Sequence, residues 1–131
     1  MRVGLSIWSI QVHPEWDAAE SLDRIVISAA ETGGDLELVS GLKLDGAVSL
    51  EDLESEVPAR WQPAVPARCG AFSGLRYGGD DEGLHTVWWA LSSGPLRLRV
   101  FFNGLPRHSA TEVAQAEAML STLRIDGPSA A

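Results

Sequence analysis

Residues 85–102 constrain the fold more tightly than any other stretch of the chain. His85 to Leu91 alternates Val87, Trp89 and Leu91 with Thr86, Trp88 and Ala90; Ser92-Ser93-Gly94-Pro95 follows; then Leu96, Leu98, Val100 and Phe102 alternate with Arg97, Arg99 and Phe101. Period-two alternation on both sides of a Gly-Pro turn is the pattern of an antiparallel hairpin. Successive side chains of a strand point to opposite faces, so Trp88 and Trp89 cannot enter one core. With Trp89 buried beside Val87 and Leu91, Trp88 falls on the other face with Arg97, Arg99 and Phe101. Either a helix or the connection around Trp61 covers that face, or it is an open aromatic and Arg surface, the composition of binding hot spots.

The rest of the chain adds strands before this hairpin and a helix after it. Val3, Leu5 and Ile7 alternate, and the phase then shifts to Trp8, Ile10 and Val12, which predicts two covered faces or a bulge near Trp8. His13-Pro14-Glu15-Trp16-Asp17 is a turn that leaves Trp16 near a strand end. Residues 24–30 form a β-branched strand, and Thr32-Gly33-Gly34-Asp35 turns it into a half-buried strand carrying Leu36, Leu38, Leu42 and Leu44 on one face. Ser49 caps a short acidic helix with Leu50, Leu53 and Val57 on its stripe. Pro58, Pro63 and Pro66 make the segment around Trp61 an extended connection. Residues 67–77 read as one Gly-interrupted strand, followed by a solvated acidic turn over 77–83. Ser109-Ala110-Thr111-Glu112 has the form of a capping box, opening a helix with Val113, Ala116, Leu120 and Leu123 on its buried face. The expectation is α+β: a twisted antiparallel sheet of about six strands with helices, one domain over 1–125, and a mobile tail over 126–131.

Composition narrows the function classes. With 131 residues and 45% apolar content, one core is the default, and the five Trp and three Phe supply bulky material for it. Eighteen acids against ten bases give a net charge of −8, a field that repels phosphate backbones and excludes nucleic acid as the expected partner. The N-terminal alternation lacks the continuous apolar region of a signal peptide and no apolar run reaches membrane-spanning length, so neither secretion nor membrane insertion is expected and a cytoplasmic location follows.

Residues able to do chemistry are present but scattered. His13, His85 and His108 each lie beside a turn without a partner at metal-ligand spacing; His85 alone has carboxylates close upstream, in Asp80, Asp81 and Glu82, though without the periodicity of a calcium loop. Cys69 is the only cysteine, which rules out an internal disulfide or a thiolate cluster, and in a strand it reads as a small buried hydrophobe. No Gly-x-Ser-x-Gly elbow and no Gly-rich phosphate loop occurs. No catalytic residue, metal or cofactor is assigned.

The order of elements resembles the PsbP-like superfamily. The resemblance runs from Trp8-Ser9-Ile10-Gln11-Val12-His13-Pro14-Glu15-Trp16 through Arg24-Ile25-Val26-Ile27-Ser28 and the strand to Lys43, then the Trp88–Trp89 hairpin and a helix ending Ala118-Met119-Leu120-Ser121-Thr122-Leu123-Arg124-Ile125. It implies an α/β/α sandwich and an accessory or binding role, since members support photosystem assembly, bind a small GTPase in nuclear import, or chaperone bacterial secretion effectors. The leading expectation is a non-enzymatic domain holding a protein partner, or a second copy of itself as a homodimer, through Trp16, Trp61, Trp88, Arg97 and Arg99. The alternatives are a small-molecule binder or enzyme with a pocket between sheet and helix, rimmed by Trp16, Trp61 and His85, and a structural subunit of a larger assembly.

Overall fold

The Trp88–Trp89 hairpin forms the middle of a seven-stranded sheet, in a computed structural model that describes residues 1–5 and 7–125, without the side chain of Leu5. In chain order the elements are β1 (Arg2–Leu5), β2 (Trp8–Gln11), β3 (Trp16–Glu20), β4 (Arg24–Ala29), β5 (Asp35–Leu42), α1 (Leu50–Glu54), a 3-10 turn (Ala59–Trp61), β6 (Val65–Cys69), β7 (Phe72–Asp81), β8 (Leu84–Ser93), β9 (Leu96–Gly104), α2 (Pro106–Leu120) and β10 (Arg124–Ile125). The large sheet runs β3-β4-β5-β9-β8-β7-β6, and β1-β2-β10 form a separate three-stranded sheet. Every pairing is antiparallel among the described residues, so the α+β class holds, with more strands than the six expected. The tail assigned to 126–131 lies outside the described residues.

Of the four strands beyond the six expected, two come from turns hidden inside apparently continuous runs. The phase shift near Trp8 is a hairpin: Leu5 pairs with Trp8, leaving residues 6 and 7 as the connection. Residues 67–77 divide at Gly70-Ala71, where Gly70 takes φ +60° and the Ala71 amide donates to the Leu123 carbonyl at 2.9 Å. β3 is an edge strand whose Asp17, Ala18 and Ala19 carry little β propensity; its ladder with β4, from Trp16↔Ala29 to Glu20↔Ile25, supplies what side chains do not. β10 is two residues long and only extends the small sheet from β2. The expected acidic loop over 77–83 contracts to Glu82-Gly83, both at positive φ (50° and 83°), which lets β7 and β8 pair as far as Asp81↔Leu84.

The inner face of the large sheet holds the main core. Leu36, Leu38, Leu98, Val100 and Phe102 are fully buried, and Trp8, Ile10, Val113, Ala116 and Leu120 close over them from the small sheet and α2. Leu42 (59% exposed) and Leu44 (93%) stay outside, contrary to expectation, because β5 ends at Leu42 and the chain leaves the covered layer there. The outer face is covered only in part. Leu53 and Val57, from α1 and the residue run after it, bury against Leu75 and Ala90, with Trp61 and Tyr77 packed at the margin. Each such fully buried side chain contributes about 1.5–3 kcal/mol. Leu50, expected on the same stripe, is 56% exposed. The cap itself forms as expected: Ser49 Oγ accepts from the Asp52 amide at 3.0 Å and Asp52 accepts from the Ser49 amide at 2.9 Å.

The second helix begins elsewhere than the sequence pattern indicates. Pro106, whose missing N–H would have no partner in the first turn, opens α2 after Leu105, so Ser109 lies inside the helix and its hydroxyl donates to the Pro106 carbonyl at 2.9 Å. Glu112 is therefore not a capping carboxylate but one turn further in, facing the sheet.

Candidate functional site

On the outer face, the register Tyr77↔Trp88↔Phe101↔Glu37 sets one residue from each of β7, β8, β9 and β5 in a row across the sheet. Trp88 contacts Phe101 with ring centroids 4.2 Å apart, and Tyr77 lies parallel to Trp88 at 6.2 Å. Edge and face contacts of this kind are worth about 0.5–1.5 kcal/mol beyond burial. All three rings are half-buried: α1 and Trp61 shelter the Tyr77 end, whereas Phe101, Val26 and Val39 face outward beside Asp35 and Glu37. Both sequence alternatives for this face are thus partly met: α1 and the Trp61 connection cover β7 and β8, while Val26, Glu37, Val39 and Phe101 on β4, β5 and β9 stay half-exposed.

Arg97 and Arg99 occupy the outer face of β9 as expected, but neither stands alone. Arg97 Nη2 lies 2.7 Å from Glu56 Oε2 and Arg99 Nη2 2.6 Å from Glu56 Oε1, so one carboxylate holds both guanidinium groups. Two cations against one anion leave the cluster positive on an otherwise acidic chain. Glu56 is the residue that sequence reasoning missed here; its position just before Val57, after a helix with a buried stripe, was the available signal. The same carboxylate, together with partial burial, raises the Tyr77 phenol above its ordinary value, burial being the larger cause and Arg99 opposing it.

The remaining predicted residues separate into three places. Trp61 and His85 do come together, lining a groove of about 250 Å³ with Val65, Arg76, Tyr77 and Val87 at the edge where β6 begins. His85 Nδ1 is 3.0 Å from Asp80 Oδ1, and Asp81 pairs with Arg60 at 3.2 Å, so two of the turn's three acids are spent on intramolecular contacts. Among the described residues there is no cluster of three or more His, Cys, Asp or Glu able to hold a metal ion. Trp16 does not join that rim. It is 4% exposed on the inner side, donating from its indole to Gln115 Oε1 at 2.8 Å, in a separate hollow of about 230 Å³ shared with Thr32 and Glu112. Cys69 is buried, and burial pushes its thiol up to about 11, with Glu117 adding to the shift and Arg76 opposing it, which suits a packing role and not a nucleophile.

Glu112 is the second residue missed. At 2% exposure it accepts through Oε2 from the Thr32 hydroxyl at 2.6 Å and the Gly34 amide at 2.8 Å, tying α2 to the β4–β5 turn. Its other oxygen has no partner, and the carboxylate sits so close over Gly34 that a Cβ at that position would collide with it. The Gly33-Gly34 pair thus serves close approach as well as the turn.

No family model and no curated protein sequence matches the chain. Among solved structures it is similar to a protein from Bacteroides thetaiotaomicron VPI-5482, with a TM-score of 0.66 and 16% identity over 93% of this chain. The match covers 46% of that protein, so the chain spans about half its length, and at this identity the likeness is one of fold alone. Among the described residues no helix is long and apolar enough to cross a membrane.

Proposed function

We propose that the chain is a non-enzymatic accessory or binding domain that holds a protein partner on the outer face of its large sheet. One observation carries this reading: the Tyr77–Trp88–Phe101 row, half-buried but uncovered toward Phe101, beside the Arg97–Glu56–Arg99 cluster. Aromatic side chains supply rigid contact area and Arg supplies directional hydrogen bonds, and both are enriched at interface hot spots. Placement of α1 on one face and α2 on the other agrees with an α/β/α sandwich of PsbP-like type, whose members act by binding; that support is analogy of fold. A second copy of this chain is the other occupant that the same face admits, giving a homodimer.

Comparative affinity capture tests the reading. Wild-type protein is run beside Phe101→Ala, Trp88→Ala and Arg99→Ala, each first shown to retain its unfolding midpoint, with sedimentation velocity to register self-association. The expected result is a partner, or a dimer, that all three variants lose. Identical partner sets and sedimentation for wild type and variants would remove the outer face from consideration.

A further inference from the structure

Arg76 carries a site that the outer-face reading does not use. It stands on β7 at Val65↔Arg76, the pair at which β6 begins, and its guanidinium lies over the buried Trp89 ring with Cζ 5.8 Å from the centroid. Among the described residues it has no hydrogen bond and no ion pair, and its Nε is shut off from solvent without any partner. In a chain with eighteen acids and ten bases, a half-buried guanidinium without a carboxylate is a departure from what electrostatics favours. The nearby acids are engaged or set apart. Asp80 contacts His85, Asp81 pairs with Arg60, and Glu117, which shares a second groove with Arg76 and Cys69, makes no ion pair with it.

Arg76 also lines the 250 Å³ groove where β6 begins, in which Trp61, Val65 and Val87 supply apolar surface and His85 and Tyr77 further polar groups. A planar fork of N–H donors beside aromatic and aliphatic walls matches one ligand chemistry: a carboxylate carried on an apolar body, which takes the fork bidentately while its body covers Trp61 and the valines. We infer that this groove binds an organic monocarboxylate, presented either by a small free acid or by the C-terminus of a peptide. The β7 backbone beyond Arg76 has no β6 partner, so the groove is open along the strand edge and admits either source.

Nuclear magnetic resonance titration of the full chain at pH 7.5 tests this, following the Trp61 indole and the Gly78 and Gly79 amides. Sodium phenylacetate is the probe, phenylacetamide its neutral isostere, and inorganic phosphate an oxyanion without an apolar body; acetyl-Gly-Phe as free acid and as amide separates peptide termini from free acids. Saturable shifts are expected with phenylacetate, at least tenfold weaker binding of phenylacetamide and phosphate, and at least tenfold loss in Arg76→Gln, with Arg107→Gln unchanged. Val65→Trp, at a position 53% exposed, is expected to fill the groove and abolish the shifts while Arg76 stays in place, and it decides the matter if Arg76→Gln does not fold. A tighter free-acid peptide than phenylacetate identifies a chain terminus as the source, and the reverse identifies a small acid. No saturable shift, equal binding of the amide or of phosphate, or an unaltered Val65→Trp titration overturns the inference. Tyr77 borders both places, but the substitutions here leave Trp88, Phe101 and Arg99 intact and those of the outer face leave Arg76 and Val65 intact, so the two proposals fail separately.

Discussion

Removing the Glu112 carboxylate should be among the most damaging single changes outside the apolar core. In Glu112→Ala the buried Gly34 amide and the half-buried Thr32 hydroxyl both lose the acceptor that now lies 2.8 and 2.6 Å away. Hydrogen bonds to a charged group contribute about 1.5–3 kcal/mol each, roughly 3–6 for the pair. Against that stands the unpartnered Oε1, whose desolvation without a hydrogen bond costs about 1–3 kcal/mol in the parent protein and disappears with the side chain. The net cost spans about 0–5 kcal/mol and centres near 2–3 kcal/mol, where the fall in Tm is roughly 6–15 °C for a chain of this size. Glu112→Gln keeps an acceptor for both donors and should cost less than Glu112→Ala. Urea unfolding followed by circular dichroism gives the two free energies, and hydrogen exchange at Gly34 reports the local bond. A double-mutant cycle with Thr32→Ala should return a coupling of about 1 kcal/mol. An alanine variant within about 0.5 kcal/mol of the parent, with Gly34 exchange unchanged, would refute the account of Glu112 as the tie between α2 and the β4–β5 turn.

Tyr77 is the only tyrosine, so its phenol can be titrated by ultraviolet absorbance without interference; it should ionise above the ordinary tyrosine range, and Glu56→Gln should bring it down by removing a neighbouring negative charge. Asp52, held by the Lys43 ammonium and the Ser49 amide, has its carboxyl lowered to about 2, so its contribution to capping α1 is complete above pH 3.8 and lost as the pH falls toward 2. Acid titration should therefore expose the Leu53 side of α1 first in that interval, and Asp52→Asn should flatten the transition. Cys69, with its thiol pushed up to about 11, should react with a disulfide reagent at pH 8 only as fast as the protein opens, and a rate equal to that of a free thiol would contradict its burial.

What the sequence made legible was the part of the fold encoded by alternation. Leu96, Leu98, Val100 and Phe102 go inward, Trp88 and Trp89 divide between the faces, and the Ser49 box closes, because each depends on neighbours within a few residues. Turns broke the reading where a short connection left the apolar period undisturbed. Gly70-Ala71 reverses the chain between Cys69 and Phe72, which are both buried, so a hairpin and a bulged single strand share one pattern. Ser109-x-x-Glu112 misled for a related reason. A capping box and a carboxylate one turn further into a helix have the same letters, and the deciding fact, the β4–β5 turn passing over Glu112, is a contact between residues 78 apart.

The candidate sites were less legible than the fold because their character lies in which charges are neutralised. Arg97, Arg99 and Arg76 are alike in the sequence, each a single Arg set among apolar or aromatic residues of a strand. Folding gives the first two a shared carboxylate, since the chain after α1 brings Glu56 over β9, and gives the third none, since β6 begins at its neighbour Val65 and Asp80 and Asp81 of the β7–β8 turn pair with His85 and Arg60. Arg97 and Arg99 must break or share an existing ion pair to meet a partner, so they contribute orientation and rate more than affinity, while the aromatic row supplies contact area. Arg76 has nothing to break. If the chain binds an anion, the unpaired guanidinium beside Trp61 and Val65 is where the electrostatic gain is greatest.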